Sequence, residues 1–207
     1  MKVPFFYKLS QRVVFIFLKL FFRLQIRGEQ NVPGEGRIIL ASNHIAALDP
    51  PVIGASTRRM LFYLAKKELF SVPVLKSVIK RLNAIPVDRG AGDIKAIKIF
   101  THALNNDNAA LLFPEGTRSR DGNLGEAKEG IGMIALKTNS DIIPCLISGT
   151  DNLKQNFLKK NGISITFGNC INIEPYKNMV LPKRDIYKKI SQDVLNAIKQ
   201  LKDTNSN

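Results

Sequence analysis

The sequence predicts a single α/β domain with a mixed, mostly parallel sheet flanked by helices and an amphipathic membrane-interface helix at the N-terminus. Short apolar runs of strand character alternate along the chain with segments of helical periodicity, the pattern of layered α/β folds. A chain of 207 residues, 44% of them hydrophobic, can bury one good core. Because no internal repeat or low-complexity segment divides the chain, we expect one domain.

Each predicted element rests on its local pattern of apolar, glycine and proline residues. Strands are predicted at 37–41, 60–65, 82–87, 109–113, 142–148 and 163–168. Helices are predicted at 5–25, 52–59, 93–105, 128–138 and 184–202, and on both sides of Pro73 within 66–81. These elements divide the chain into an interfacial helix at 1–27, a folded domain at 28–202 and a disordered tail at 203–207.

The predicted N-terminal helix combines one basic stripe with a broad apolar side. At about 100° per residue, Lys8, Arg12, Lys19 and Arg23 fall within a narrow arc. The opposite side carries Phe6, Leu9, Val13, Phe17, Leu20 and Leu24. The longest uninterrupted apolar run has six residues, whereas a membrane span needs about twenty. We therefore expect this helix to lie in an anionic membrane surface; the alternative is a helix that caps a soluble core.

The chain is strongly basic, with 31 Lys+Arg, 17 Asp+Glu and a formal net charge of +14. Seven of the basic residues fall within 58–81, where Glu68 is the sole acidic residue. This balance favours phosphorylated metabolites, acidic carrier proteins, anionic lipid surfaces or nucleic acid as partners. Because the sequence has no helix-turn-helix signature, aromatic RNA-binding motif or zinc spacing, we do not expect a nucleic-acid partner.

The two cysteines suggest neither a metal site nor a disulfide framework. Cys145 and Cys170 are far apart, and both lie in apolar, strand-like contexts. A reducing compartment is therefore expected, with no bound metal. The sequence also lacks a Gly-x-Ser-x-Gly elbow, so it offers no convincing nucleophile.

A histidine and a carboxylate follow the first predicted strand together. Four residues separate His44 from Asp49, and Pro50-Pro51 predicts a turn that no helix runs through unbroken. Asp49 can fold back, accept a hydrogen bond from one ring nitrogen of His44 and leave the other nitrogen free as a base. Without a nucleophile in the chain, this base would act on a hydroxyl group of the substrate. The alternative is a structural histidine beside a turn-forming Asp-Pro pair.

A second polar loop follows the buried strand predicted at 109–113. In this loop Gly116 allows close backbone approach, Thr117 offers a hydroxyl and a backbone N–H, and Arg118 offers a planar fork for phosphate. Arg89, which also follows a predicted strand, could reach the same anion. The alternative is that Glu115 pairs with Arg118 on the surface, a contact of little energetic value.

These segments together resemble the glycerolipid acyltransferase family that includes the bacterial 1-acylglycerol-3-phosphate (lysophosphatidate) acyltransferases. Asn43 to Asp49 matches its first motif and Phe113 to Ser119 its third. Val87 to Gly90 matches the end of the second motif, and Ile143-Pro144 stands where the weak fourth is expected. The resemblance covers about residues 28 to 150. The sequence departs from the family pattern at three positions, which affect the shapes of the acceptor and acyl pockets: Asn83, Ile85 and Ala127.

The resemblance implies that His44, oriented by Asp49, takes the proton from the 2-hydroxyl of lysophosphatidate. The oxygen of that hydroxyl attacks the thioester carbonyl of acyl-CoA or acyl carrier protein at the same time. Arg89 and the loop Gly116-Thr117-Arg118 would hold the glycerol phosphate, and Glu115 would belong with them to the substrate-binding residues. No cofactor is implied beyond the thioester co-substrate. The enzyme would make phosphatidate at the cytoplasmic face of the cell membrane, as a peripheral protein.

Other readings of the same residues remain open from the sequence. Within the family, the acceptor could be glycerol 3-phosphate or another lyso-lipid. A hydrolase would use His44 and Asp49 with water as the acceptor. The other histidine, His102, lies in a helical segment without a carboxylate motif beside it, so we expect it to be structural or exposed.

Overall fold

A computed structural model describes residues 4–88, 93–119, 122–160 and 162–205. Seven strands form one sheet in the order β1-β7-β6-β2-β5-β3-β4. The strands are β1 Gln25–Arg27, β2 Ile38–Ser42, β3 Leu61–Lys66, β4 Ala84–Val87, β5 Ala109–Leu112, β6 Asp141–Ser148 and β7 Ser164–Phe167. Every neighbouring pair is parallel except β6 and β7. The predicted mixed, mostly parallel sheet is therefore confirmed.

Eight α-helices connect or flank these strands in the described part of the chain. They are α1 Phe5–Phe21, α2 Asp49–Ala55, α3 Pro73–Arg81, α4 Ile94–Asn105, α5 Gly130–Thr138, α6 Leu153–Asn156, α7 Glu174–Lys177 and α8 Lys183–Asn205. Short 3-10 helices occur at Glu29–Asn31 and Lys67–Phe70. Within the described ranges, no helix combines the length and the apolar character needed to cross a membrane.

The strand register places the carboxyl ends of the central strands at one edge of the sheet. Ile38 in β2 is opposite Ala109 in β5 and Asp141 in β6, and Leu61 in β3 is also opposite Ala109. The loops that follow β2, β3, β5 and β6 therefore leave from the same side, here called the carboxyl edge. In open α/β sheets, functional sites gather at this edge.

The sheet separates two apolar clusters. On one face, side chains of α1 and α2 such as Leu18 and Ile53 pack on the strands. On the other face the cluster includes Phe100 of α4, Ile134 of α5 and Val194 of α8. Helices α5 and α8 approach so closely that a Cβ on Gly132 would lie 2.1 Å from the carbonyl oxygen of Tyr187.

Helix α1 is built into the domain along one line of side chains. Tyr7 and Leu18 are buried, and the Tyr7 hydroxyl accepts a hydrogen bond from the Leu61 N–H at 2.9 Å. The Gln11 amide donates to the carbonyls of Gly54 and Thr57 at the end of α2, each at 2.7 Å. Much of the predicted apolar side is nevertheless exposed: Leu9, Val13, Phe17 and Leu20.

Three predicted boundaries are wrong. The sheet begins at Gln25, inside the segment assigned to the N-terminal helix, because residues 25–27 pair with β7. Helix α2 begins at Asp49 and includes the two prolines, which fit the first turn of a helix because its N–H groups need no partner inside the helix. The tail predicted as disordered from 203 is helical to Asn205, whose amide donates to the Leu201 carbonyl at 2.7 Å.

Candidate active site

The first loop at the carboxyl edge brings His44 and Asp49 together. His44 Nδ1 lies 2.7 Å from Asp49 Oδ2 in the turn between β2 and α2. The same oxygen accepts the backbone N–H groups of Ile45 and Ala46 at 2.7 and 2.8 Å. The Asp49 side chain is fully buried, and the His44 side chain is 7% exposed. The pairing therefore leaves Nε2 as the ring nitrogen of His44 that can exchange a proton with another group.

Thr150 also contacts the Asp49 carboxylate, and the sequence analysis did not identify it as a site residue. Its hydroxyl donates to Asp49 Oδ1 at 2.5 Å, and Thr150 is itself 2% exposed. Thr150 lies 101 residues beyond Asp49, after β6, and no local pattern links the two positions. Its proximity follows only from the parallel pairing of β2 and β6.

Asn43 fixes the end of β2 against β6. Its amide nitrogen donates to the Ile147 carbonyl at 2.9 Å, and its oxygen accepts the Ile147 N–H at 2.8 Å. A side chain thus takes the place of a backbone strand partner. The third-motif loop also contacts this segment, since the Ser119 N–H donates to the His44 carbonyl at 2.8 Å. The two loops predicted to share a pocket are therefore in contact.

Glu115 does not pair with Arg118. Its Oε2 accepts the Gly125 N–H at 2.9 Å, and the residue is 6% exposed. Its Oε1 is buried and has no hydrogen-bond partner among the described residues. Glu115 borders a cavity of about 200 Å³, which Asn43, Ser148 and Lys202 also line. Because like charges repel, a buried carboxylate does not suit contact with a phosphate group. The assignment of Glu115 to substrate binding stays a prediction.

The residues that follow Glu115 form an exposed loop suited to an anion. Gly116 has φ +69°, in the left-handed region that favours glycine. Thr117 and Arg118 are exposed, and Arg118 forms no hydrogen bond or ion pair with the described residues. Lys128 lies beside this loop, since a Cβ on Gly116 would be 3.4 Å from its Nζ. The arrangement presents two cations and a left-handed turn on one side of the carboxyl edge.

Lys128 is the second residue missed in the sequence as a site candidate. Its backbone N–H donates to the Pro114 carbonyl at 2.9 Å, which brings the start of α5 back to the third-motif loop. The sequence contained one indication of this role, because Lys128 follows the loop from Gly116 to Arg118 after only ten residues. Arg89, predicted to contact the same anion, lies outside the described residues.

The other histidine and the two cysteines do not contribute to the site around His44. His102 is exposed on α4, where its Nε2 lies 3.1 Å from the Asn106 amide nitrogen. Cys145 is buried in β6, and burial raises the pKa of its thiol, so it is a weak nucleophile. Cys170 is exposed and lies beyond β7 rather than in the apolar, strand-like context expected.

Comparisons with known proteins identify the class to which this fold and site belong. A sequence profile described as Acyltransferase matches residues 23–148. The chain therefore belongs to the acyltransferase family.

Particular relatives narrow the comparison. The chain is 31% identical over 150 residues, or 69% of its length, to the 1-acyl-sn-glycerol-3-phosphate acyltransferase of Borreliella burgdorferi, and this match spans 58% of that relative. It is 26% identical to the enzyme of the same name from Bacillus subtilis, over 94% of the chain and 96% of that relative. The match to the chloroplastic LPAT1 of Arabidopsis thaliana, at 28% identity, covers 63% of the chain and 37% of that relative.

The fold is similar to a solved structure, the 1-acyl-sn-glycerophosphate (LPA) acyltransferase PlsC from Thermotoga maritima. The TM-score is 0.72 at 24% identity, over 95% of this chain and 78% of that one. At this identity the similarity concerns the fold, which agrees with the predicted α/β class.

Proposed function

We propose that the protein is a 1-acylglycerol-3-phosphate O-acyltransferase, which moves a fatty acyl group from a thioester to the 2-hydroxyl of lysophosphatidate. The observation that carries the proposal is the buried His44–Asp49 pair beside the exposed loop from Gly116 to Arg118, where Arg118 and the neighbouring Lys128 present two exposed cations. The relatives named above, which bear this activity in their names, support it.

His44 would act as the general base. The 2-hydroxyl oxygen of the acceptor attacks the thioester carbonyl carbon as its proton passes to Nε2. The tetrahedral intermediate then collapses, the carbon–sulfur bond breaks, and the leaving thiolate takes the proton from His44. Asp49 holds the ring through Nδ1 and stabilises the imidazolium that forms between the two steps. The acyl group moves directly, so no acyl-enzyme is needed.

The loop from Gly116 to Arg118, with Lys128, would bind the glycerol phosphate. Arg118 can form two parallel hydrogen bonds to one phosphate group, and Lys128 supplies a second positive charge beside Gly116. Holding the phosphate fixes the distance between the acceptor hydroxyl and His44, which can lower the barrier by several kcal/mol. Arg89, which follows β4 by two residues in the sequence, is a further phosphate ligand in this proposal.

The burial of His44 favours acyl transfer over hydrolysis. Its side chain is 7% exposed, and one ring face is covered by Phe113. Water therefore has little access to the base, whereas an acceptor held by its phosphate can present a hydroxyl to Nε2. A hydrolase would need an ordered water at the same position.

The thioester donor would be acyl-CoA or acyl carrier protein, and the reaction needs no other cofactor. The exposed apolar side chains and cations of α1 support binding to an anionic membrane surface, where the lysolipid resides. We place the protein on the cytoplasmic face, where both donors are available.

The test is single-turnover acyl transfer to lysophosphatidate in mixed micelles, with acyl-CoA and acyl carrier protein as alternative donors. Wild type should form phosphatidate, and His44→Ala should lose about 10²–10⁴-fold in rate while keeping its circular dichroism spectrum. His102→Ala, which removes the exposed histidine of α4, is the matched control and should keep the full rate. A wild-type rate in His44→Ala would refute the role of His44 as general base. Product formed from glycerol 3-phosphate but not from lysophosphatidate would show that glycerol 3-phosphate is the acceptor.

A further inference from the structure

The segment 67–81, which contains a 3-10 helix and α3, carries several exposed apolar side chains. No residue of α3 is buried. Val74 is 77% exposed, Val72 51%, and Leu69 43%. Leu75 and Val78 are exposed as well. Short exposed helices of soluble domains normally turn their apolar residues inward, so this segment indicates a surface that binds something.

The charges of this segment suit an anionic partner. At about 100° per residue, Val74, Leu75 and Val78 share one side of α3, and Lys76 and Lys80 point to the other. Glu68 is the single acidic residue from Lys66 to Arg81. An apolar side opposite a lysine-rich side is the pattern of helices that lie in a membrane interface.

The segment lies on the same face of the sheet as α1. In the sheet order, the β2–β3 and β3–β4 connections run in the same direction, toward the β4 edge. Because such crossovers are right-handed, α2 and α3 lie on the same face of the sheet. Helix α1 packs on α2 and so lies on that face as well. At the end of α3, the Arg81 guanidinium carbon lies 5.4 Å from the centre of the Phe6 ring. The two exposed apolar surfaces therefore adjoin.

We propose that residues 67–81 form a second membrane contact, which binds an anionic bilayer together with the exposed side of α1. The segment begins where β3 ends, at the carboxyl edge, and α1 ends near the start of β7, where the Leu158 N–H donates to the Phe21 carbonyl at 2.7 Å. Two contacts fix the orientation of the domain, whereas one helix would let it rotate. The inference rests on the proposed function only in that the substrate is a lipid.

An acidic carrier protein is a weaker match to this surface. It would be recognised by Lys76, Lys80 and their neighbours, but it would leave Val74 and Leu75 in water. A bilayer takes up the apolar side chains and binds the cations at its phosphate level. The exposed valines and leucines therefore favour the lipid surface.

The experiment measures binding of the full-length protein to sedimenting vesicles of phosphatidylglycerol and phosphatidylcholine. The variant Val74→Ser/Leu75→Ser/Val78→Ser should lower vesicle affinity by about tenfold or more. The matched control is Val180→Ser/Leu181→Ser, which changes side chains that are 100% and 50% exposed before α8, on the opposite face. The control should bind as wild type does. Lys76→Gln/Lys80→Gln should weaken binding to the anionic vesicles and leave the weaker binding to pure phosphatidylcholine unchanged.

Wild-type vesicle affinity in the triple serine variant, with unchanged thermal unfolding, would overturn the proposal. So would normal vesicle binding combined with lost binding to acyl carrier protein, which would identify the carrier as the occupant. Transfer to a short-chain, water-soluble lysophosphatidate should be equal in the variant and wild type. If the wild-type protein transfers no acyl group in that assay, the proposed function is refuted, whereas the vesicle-binding result still tests the membrane contact.

The geometry also points to Thr150 as a positioning residue for the reaction. Asp49 Oδ2 accepts three N–H groups, but Oδ1 accepts only the Thr150 hydroxyl among the described residues. With both oxygens held, the carboxylate cannot rotate, and Oδ2 stays opposite His44. Thr150 follows Gly149, whose φ of +85° turns the chain toward this carboxylate.

Thr150→Val tests this assignment because valine keeps the shape and removes the donor. Turnover should fall about tenfold with little change in the Michaelis constant of the acceptor, since one buried hydrogen bond to a charged group is lost. The rising limb of the pH–rate profile should also move to higher pH, because a carboxylate with fewer donors attracts the imidazolium proton more strongly. Thr150→Ser should restore both values. Unchanged turnover and pH profile in Thr150→Val would refute the role, as would lower stability with normal turnover per folded molecule.

Discussion

The ring of Phe113 lies parallel to the ring of His44, with centroids 4.0 Å apart and planes inclined by 15°. Phe113 leaves the end of β5 and His44 the end of β2, two strands that are neighbours in the sheet. Stacking fixes the plane of the imidazole, and the hydrogen bond to Asp49 fixes its rotation within that plane. The imidazole is thus held by two independent elements.

Replacing Phe113 with alanine should impair the orientation of His44 and open its ring face to water. We expect turnover to fall about tenfold, from the loss of a stacking contact and of packing, and the ratio of thioester hydrolysis to acyl transfer to rise. Both products are measured from one radiolabelled acyl donor. Phe157→Ala, which removes an exposed stacking partner of Phe21, is the control. A hydrolysis ratio equal to that of wild type would contradict the water-excluding role.

Removing the positive charge of Arg118 or of Lys128 should weaken binding of the acceptor phosphate. Arg118→Ala and Lys128→Ala should each raise the Michaelis constant for lysophosphatidate by about ten- to a hundredfold, the value of a charge-assisted hydrogen bond. Initial rates with monoacylglycerol, which has no phosphate, should be the same in wild type and both variants. Arg37→Ala, which breaks an exposed ion pair with Asp107 before β2, is the charge-matched control. An equal loss with both acceptors would show that these side chains do not bind the phosphate.

The close contact between α5 and α8 should make Gly132 intolerant of any side chain. A Cβ there would lie 2.1 Å from the Tyr187 carbonyl oxygen, so Gly132→Ala should lower the free energy of unfolding by about 1–3 kcal/mol through overpacking. Gly130, on the same helix, has no atom within 4 Å of its Cβ position. Gly130→Ala should be neutral or stabilise by up to about 1 kcal/mol. Urea denaturation of both variants checks the difference, and equal stabilities would contradict the packing.

Two buried phenols should limit stability at alkaline pH. Burial raises the pKa of Tyr63 well above its ordinary value of 10.0, and burial also raises the pKa of Tyr7, whose hydroxyl lies 3.1 Å from that of Tyr63. The folded state holds these protons more tightly than the unfolded state does. Their contribution is therefore fully present below pH 10.0 and is lost as the pH rises above it.

Denaturation curves at several pH values above neutrality measure this effect. The free energy of unfolding should fall with pH above about 10, and Tyr63→Phe should reduce the slope. Tyr187→Phe, on α8, is the control. A slope in Tyr63→Phe equal to that of wild type would mean that Tyr63 does not titrate on unfolding.

The sequence predicted the elements that have a strong local pattern. The buried strand at 109–113 and the helix at 93–105 were confirmed within one residue at each end, because their apolar spacing is unambiguous. The approach of Asp49 to His44 was predicted from the four residues that separate them and a proline turn. Each of these depends on neighbours along the chain.

The features that were missed depend on distant partners. Strand β1 has three residues and exists because β7 lies beside it. The buried side of α1 follows Tyr7 and Leu18, which the apolar periodicity did not select, because α2 and β3 supply the polar and apolar partners. Thr150 and the burial of Glu115 likewise arise from contacts between loops of different strands. Sequence patterns contain no information on those distances.

The attachment of Gln11 to the end of α2 determines how the enzyme would respond to lipid. This amide joins α1, which carries the proposed membrane surface, to the helix that begins with Asp49. Adsorption to a bilayer therefore leaves the distance between His44 and Asp49 unchanged. The rate should then follow surface-dilution kinetics, in which the mole fraction of lysolipid in the interface, rather than its bulk concentration or a lipid-induced change of shape, determines turnover.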